Sequence, residues 1–192
     1  MNHRDALVDR LLRVRPSVWE LPTRDAPYVH ESTKPRAAFI AGGLASGKTA
    51  FRGSSEGQTS LPAWHDSVHI DLDEIKTLLP EFERIETEED ARAVHVAAVD
   101  IARRLLEECL RRGVSLTLEG AGSGPADQPV PDHFANQIRR FVTLAAAAGR
   151  CYEVDIRYCD VPIEEALRRI DRSDKYRLPG WTLSDFDFFG AG

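Results

Sequence analysis

Apolar and polar positions follow two different periods along this chain. Short apolar runs predict buried strands at residues 37–41 (AAFIA), 67–71 (SVHID), 114–118 (VSLTL) and 152–158 (YEVDIRY). Apolar residues that recur every three or four positions predict helices at residues 5–15, 74–79, 88–112, 132–148 and 162–172. Strands that alternate with helices of this length are typical of an α/β fold, with a mostly parallel sheet and helices on both of its faces.

The segments between these elements differ in composition. Residues 16–36 are rich in proline and charge and are interpreted as a connecting segment. Residues 53–66 (GSSEGQTSLPAWHD) contain several Gly, Ser and Pro residues and are predicted to form a loop. The helix at 88–112 is the strongest, because it begins in an acidic turn and is followed by Gly113.

Length and composition limit the class of protein. The chain has 192 residues, of which 42% are hydrophobic and 29% charged, as in an ordinary globular domain. We therefore expect one domain over residues 1–192, with an N-terminal helix at 5–15, a core at 36–172 and a short lid and C-terminal segment at 173–192. Trp181, Phe186, Phe188 and Phe189 lie in that last segment and predict that it packs, either on its own domain or against a partner, with a frayed terminus as the alternative.

Charge and cysteine content exclude several partners and compartments. A net charge of -6 argues against a general nucleic-acid-binding protein, which usually has a basic face. The sequence contains no apolar run of the roughly 18 residues that a membrane helix needs, and charges interrupt its first residues, MNHRDALVDRLL, where a signal peptide would be apolar. The 3 cysteines have no metal-ligand spacing and fit a reducing compartment. These features predict a cytoplasmic protein without nucleic-acid or membrane partners.

A glycine-rich motif directly follows the first predicted strand. Residues 42–49 (GGLASGKT) fit the pattern G-x-x-x-x-G-K-[ST], in which backbone N–H groups surround a phosphate at the start of a helix. Lys48 would bind the outer phosphates of a nucleotide, and the Thr49 hydroxyl would ligate Mg²⁺. The residues expected to bind the nucleotide are Gly42, Gly43, Leu44, Ala45, Ser46, Gly47, Lys48, Thr49 and Ala50.

Acidic residues end the second and third predicted strands. If the second strand extends far enough, Asp71 and Asp73 point to the same side, where one carboxylate could organise Mg²⁺ and the other could accept a proton from a hydroxyl. Asp73 could equally cap the helix that follows it. Glu119 would lie near the phosphate loop, because ligands bind at the carboxyl ends of parallel strands. His69 is interpreted as a residue that packs within its strand.

A basic segment follows the fourth strand and contains Arg168, Arg169, Arg172, Lys175 and Arg177. Arginines brought over a transferring phosphoryl group stabilise its negative charge. The ordinary alternative to a functional role is a solvated helix face on which acidic and basic residues four positions apart form ion pairs. We adopt this alternative for Arg168, paired with Glu164, and for Arg169, paired with Glu165. We expect Arg172 and Arg177 to be functional.

Three of these segments together resemble the motifs of zeta-toxin-type kinases, which are P-loop enzymes of bacterial toxin–antitoxin modules. The segments are GGLASGKTAF, SVHIDLDEIKTLLPEF and SLTLEGAGSG, in that order. The acidic pattern of the family is met by Ile70, Asp71, Asp73, Ile75, Lys76 and Pro80, and its glutamate pattern by Leu118, Glu119, Gly120 and Ala121. The resemblance implies a P-loop NTPase-like three-layer sandwich.

The resemblance also implies an activity and roles for particular residues. Family members transfer phosphate from ATP, with Mg²⁺, to a sugar hydroxyl of the nucleotide sugar UDP-N-acetylglucosamine. Asp73 corresponds to the catalytic base, Glu119 to a residue that contacts the acceptor, and His95 to a substrate-side histidine. Lys48, Arg172 and Arg177 would complete the catalytic set, Asp71 would lie on the substrate side, and an antitoxin protein would be a possible partner.

The sequence departs from the family pattern at three places. Residues 95–98 (HVAA) have alanines where the family often has a glutamate that holds the sugar nucleotide, and Ala121 replaces a common threonine. Only four residues separate Arg172 from Arg177, so the lid is short. Two alternatives to a nucleotide-sugar kinase therefore stay open. One is a kinase of another metabolite or antibiotic hydroxyl, and the other is a nucleotide-binding regulatory module that has lost catalysis.

Overall fold

A computed structural model describes residues 5–8, 34–43, 45–62, 67–120 and 130–172 of the chain, with side chains from residue 134 onward in the last range. Residues 5–8 are helical, which agrees with the start of the helix predicted at 5–15. Leu44, Arg177 and the aromatic segment after residue 180 lie outside the described residues. Among the described helices, none is both long and apolar enough to cross a bilayer.

The described strands form one parallel sheet. They are β1 (Arg36–Ala41), β2 (Ser67–Asp71), β3 (Ser115–Gly120) and β4 (Glu153–Tyr158). Their order across the sheet is β2-β3-β1-β4, and every adjacent pair is parallel. The register aligns Asp71 with Glu119 and Glu119 with Ile40, so β1, β2 and β3 end at the same edge. The parallel α/β fold expected from the sequence is therefore confirmed.

Helices connect the strands in chain order. They are α1 (Lys48–Gly53), α2 (Ser55–Ser60), α3 (Leu72–Thr77), α4 (Glu88–Arg112), α5 (Val130–Ala147) and α6 (Ile163–Arg172), with a short 3-10 turn at Phe82–Arg84. The longest, α4, begins with a capping box between Thr87 and Asp90 and ends at Gly113 in the left-handed conformation, which is typical of a glycine C-cap.

The side chains of β1 alternate between two apolar layers. Phe39 faces the larger layer, which includes residues of α4 and α5, and its ring packs edge-on against Phe141 with centroids 5.3 Å apart. Ala38 and Ile40 face the opposite side, where they pack with Leu61 and Phe51. Because both faces are covered, the fold has three layers with the sheet in the middle.

One local prediction was wrong, and the bounds of one short helix differ from the prediction. Residues 53–66 were expected to form a loop, but residues 55–60 within them form α2. This helix begins because Ser54 Oγ accepts a hydrogen bond from Gly57 N over 3.1 Å. Gly57 fits there because an added Cβ would lie 2.1 Å from Phe51 O. The helix expected at 74–79 is present but spans Leu72–Thr77, directly after β2, which ends at Asp71 as predicted.

Candidate active site

The phosphate loop begins where β1 ends. An added Cβ at Gly42 would lie 2.4 Å from Cys159 O and 2.5 Å from Ser46 Oγ, so only glycine fits at this position. Gly47 has a φ of 94°, which favours glycine, and precedes the first residue of α1. The loop thus brings its backbone to the N-terminus of a helix, as an anion-binding loop requires. Ala50 is exposed on the first turn of that helix.

Lys48 turns back over this loop. Its Nζ donates to Gly42 O over 2.9 Å and to Gly43 O over 3.0 Å. Burial lowers the pKa of Lys48, and the negative charges of Glu119, Asp73 and Asp71 oppose that shift. The negative charges of three carboxylates, which lie at or just after the ends of β2 and β3, therefore act on Lys48.

Glu119 lies at the end of β3 beside the loop. Its side chain is 5% exposed, and its Oε1 accepts a hydrogen bond from Thr49 Oγ1 over 3.4 Å. Burial and repulsion from Asp71 raise the pKa of Glu119 to about 7, although Arg52, Lys48 and Thr49 favour its charged form. Glu119 is a buried acid in contact with the hydroxyl expected to ligate Mg²⁺, rather than an exposed loop carboxylate.

Arg52 and His69 are part of this site, although sequence reasoning missed both. Arg52 Nη1 lies 3.5 Å from Glu119 Oε2, and the same guanidinium contacts His69 Nε2. The side chain of His69 is 3% exposed, with its Nε2 3.6 Å from Glu119 Oε2. Spacing held a signal for each: Arg52 is one helical turn after Lys48, and His69 alternates to the same side of β2 as Asp71.

Asp71 and Asp73 have different partners. Asp71 Oδ1 accepts hydrogen bonds from Asp73 N over 2.9 Å and Glu74 N over 3.4 Å, so Asp71 is the residue that caps α3. The alternative that Asp73 caps this helix is wrong. The condition for both aspartates to point to the same side, a strand that extends to Asp73, is not met because β2 ends at Asp71. Burial and the negative charge of Asp73 raise the pKa of Asp71.

The carboxylate of Asp73 reaches the surface of the site. Its Oδ1 lies 3.3 Å from Lys76 Nζ, and the side chain of Asp73 is 37% exposed whereas that of Lys76 is 2% exposed. A buried ammonium thus holds a carboxylate that remains accessible to a ligand.

The donor atoms of this edge fit a nucleotide phosphate and Mg²⁺. Ligand atoms of His69, Asp71 and Glu119 all lie within 4.8 Å of one another. The Thr49 hydroxyl lies beside this group, because it donates a hydrogen bond to Glu119. Magnesium prefers oxygen ligands, which the two carboxylates and the hydroxyl supply. In the described structure Ser46 Oγ is buried without a hydrogen-bond partner, a polar atom that a phosphate oxygen would satisfy.

The basic helix α6 meets the loop through one arginine. Arg169 Nη1 donates to Ala45 O over 3.1 Å, and Arg169 Nε donates to Glu165 Oε1 over 2.8 Å. The expected pair of Glu165 and Arg169 is present, but Arg168 pairs with Glu165 rather than with Glu164. Arg172 is exposed at the last residue of α6, and no described contact joins it to the loop.

His95 is half-buried in the N-terminal part of α4, and the C-terminal end of that helix leads into β3. Neighbouring Val96 is 60% exposed. The role of His95 toward an acceptor stays a prediction.

Together, the parallel sheet, the glycine loop after its first strand and the acids at the adjoining strand ends define a P-loop α/β protein. The zeta toxin family model matches residues 20–173 of this chain. The chain therefore belongs to the zeta toxin family, and the resemblance seen in its motifs is confirmed. No curated protein matches the chain significantly.

Solved structures similar to this chain have the same fold. One, from the PezAT chromosomal toxin–antitoxin system of the human pathogen Streptococcus pneumoniae, has a TM-score of 0.60 and 17% identity, covering 88% of this chain and 61% of that one. A second, a candidate kinase from Chloroflexus aurantiacus, has a TM-score of 0.53 and 18% identity, covering 82% and 75%. The chain thus spans 61% of the length of the Streptococcus protein.

Proposed function

We propose that this protein is an ATP-dependent kinase that transfers the γ-phosphate of ATP to a hydroxyl of a small molecule. The observation that carries the proposal is the convergence of Lys48 and Thr49 of the phosphate loop with Asp73 and Glu119 at the adjoining strand ends. A cationic loop that faces carboxylates at one sheet edge is suited to phosphoryl transfer, which depends on positioning and charge.

The chain's own residues would bind the nucleotide as follows. The loop amides and Lys48 would contact the phosphates, and Thr49, Asp71 and Glu119 would hold Mg²⁺ directly or through water. When bound, ATP supplies the phosphoryl group and Mg²⁺ neutralises part of the negative charge on that group. The contact between Glu119 and Thr49 favours the metal side of the site for Glu119, rather than the acceptor contact suggested by the family pattern.

Asp73 is the group best placed to accept the proton of the acceptor hydroxyl. Its carboxylate is accessible, lies near enough to Lys48 to act on its charge, and is held in place by Lys76. Asp71 cannot serve as well, because its Oδ1 is engaged by two backbone N–H groups. A positioned base of this kind accelerates phosphoryl transfer by roughly 10² to 10⁴.

Family membership supports a nucleotide sugar such as UDP-N-acetylglucosamine as the acceptor and an antitoxin protein as a partner. The toxin–antitoxin origin of the Streptococcus structure is in line with such a partner. His95 would lie on the acceptor side, and Arg172 and Arg177 over the phosphates. Ala97 and Ala98 of α4 have no carboxylate and are buried. These two positions therefore cannot hold a sugar as the glutamate often found in the family does.

Formation of ADP by the purified protein, with and without UDP-N-acetylglucosamine, tests this proposal. Acceptor-dependent turnover that disappears in Lys48→Ala supports the nucleotide-sugar kinase. Turnover with other hydroxyl acceptors only would assign a different metabolite or an antibiotic as the substrate. Nucleotide binding without turnover under any condition would contradict a kinase and indicate a regulatory module.

A further inference from the structure

Arg169 links α6 directly to the phosphate loop. Its bond to Ala45 O and its bond to Glu165 use two of the five N–H donors of a guanidinium. An added Cβ at Gly47 would lie 3.4 Å from Arg169 Nη1, so the guanidinium lies against the loop on both sides of Ser46. Its side chain is 43% exposed, which leaves it open to a ligand.

The position of Arg169 parallels that of Lys48. Lys48 Nζ donates to the carbonyls of Gly42 and Gly43, and Arg169 Nη1 donates to the carbonyl of Ala45. Two cations from different elements thus bond to carbonyl oxygens of one anion-binding loop. In these bonds only the donor is charged, whereas a phosphate oxygen adds a charge on the acceptor and lets an arginine bond in a bidentate geometry. A phosphate oxygen is therefore a better partner than a carbonyl for either cation.

Glu165 fixes the direction of the guanidinium. Its Oε1 accepts from Arg169 Nε over 2.8 Å, while Arg168 also pairs with Glu165 but has no described bond to the loop. Because the Nε side is held by Glu165, the Nη1 side stays directed at the loop. Glu165 is thus a positioning residue, and Arg168 provides a matched neighbour that shares the same carboxylate.

From this geometry we infer that Arg169 is a second phosphate-binding cation of the loop. It exchanges Ala45 O for an oxygen of the triphosphate when a nucleoside triphosphate binds. The inference rests on the nucleotide site of the proposed function, and it assigns a binding role to an arginine interpreted from sequence as merely paired on a solvated helix.

Calorimetric titration with Mg·ATP, in the absence of any acceptor, tests this inference with six proteins: wild type, Lys48→Ala, Arg169→Ala, Arg169→Gln, Arg169→Lys and Arg168→Ala. Loss of a charged hydrogen bond should raise the Kd for ATP about tenfold or more in Arg169→Ala. Arg169→Gln should be similarly weakened, because its amide can still donate to Ala45 O but carries no charge. Arg169→Lys should retain part of the affinity, and Arg168→Ala should match wild type.

Other outcomes separate this inference from the proposed function. If Arg169→Gln binds ATP as wild type does while Arg169→Ala does not, Arg169 only holds the loop and the inference is wrong. If Arg169→Ala binds normally while Lys48→Ala does not, the nucleotide site stands and the inference again fails. If wild type binds no ATP, both the proposed function and the inference are overturned. Melting temperatures equal to wild type show that each variant is folded.

Discussion

Asp71 and Asp73 are separated by one residue, yet each carboxylate has different partners. The Asp71 carboxylate accepts hydrogen bonds from two backbone N–H groups at the start of α3, whereas the Asp73 carboxylate pairs with the buried ammonium of Lys76. The first arrangement contributes to local structure and leaves a second oxygen for a cation. The second arrangement holds a carboxylate that stays partly exposed and so remains accessible to a ligand.

Two substitutions of Asp71 separate its capping role from its charge. Asp71→Ala should lower the free energy of unfolding by about 0.5–2 kcal/mol, because it removes the N-cap of α3. Asp71→Asn should keep most of that stability, since asparagine caps helices as well as aspartate does, but should raise the Mg²⁺ concentration needed for activity. Urea unfolding and Mg²⁺ titrations measure the two effects. Equal stability of Asp71→Ala and wild type would contradict the capping role.

Sequence reasoning found the residues of the site that lie in local motifs. Lys48 and Thr49 follow from loop spacing, and Glu119 from its place at a strand end. Arg52 and His69 were missed because their contacts join residues 17 positions apart, and the shared partner Glu119 comes from a third element. Such a cluster depends on strand order, which a pattern of apolar positions does not specify.

The strands and long helices were predicted to within about two residues because their apolar periods are regular. Helix α2 was missed because Ser, Gly and Thr have weak helix propensity. Its polar side chains instead bond to its own backbone, with Thr59 Oγ1 3.0 Å from Ser55 O and Ser60 Oγ 2.8 Å from Glu56 O. Composition alone therefore indicated a loop where the Ser54 cap begins a short helix.

The N-terminus of α4 has a capping box that can be tested separately from the site. Thr87 Oγ1 accepts from Asp90 N over 3.1 Å, and Asp90 Oδ2 accepts from Thr87 N over 2.9 Å. Thr87→Ala should lower the free energy of unfolding by about 1 kcal/mol, because one N–H at the helix start loses its acceptor. Thr87→Ser keeps the hydroxyl and should remain close to wild type. Chemical denaturation of the three proteins checks this prediction, which fails if the alanine and serine variants are equally stable.

At the scale of the whole molecule, the three cysteines lie at different depths. Cys109 lies on the buried face of α4 and is 0% exposed, and burial raises the pKa of its thiol to about 12. Cys151 is exposed, and Cys159 is half-buried with its pKa raised by burial. Because the thiolate is the reactive form, these differences predict an order of reactivity.

Native protein treated with a thiol reagent should react first at Cys151 and last at Cys109. A Cys151→Ser, Cys159→Ser double variant isolates Cys109, whose labelling rate should then follow opening of the molecule rather than thiol chemistry. The rate should rise with denaturant as global unfolding does. Rapid labelling of Cys109 in buffer, at the rate of the unfolded chain, would contradict the packing of α4 against the sheet.

We propose that the phosphate loop forms one phosphoryl-transfer site with Asp71, Asp73 and Glu119. Single-turnover transfer of labelled γ-phosphate from ATP to UDP-N-acetylglucosamine, compared between wild type and Asp73→Asn, is the decisive measurement. We predict label on the acceptor in wild type, a rate lower by roughly 10² to 10⁴ in Asp73→Asn, and an unchanged Kd for ATP. Equal transfer rates in the two proteins would contradict the role of Asp73, and no labelled acceptor with wild type would contradict transfer to this nucleotide sugar.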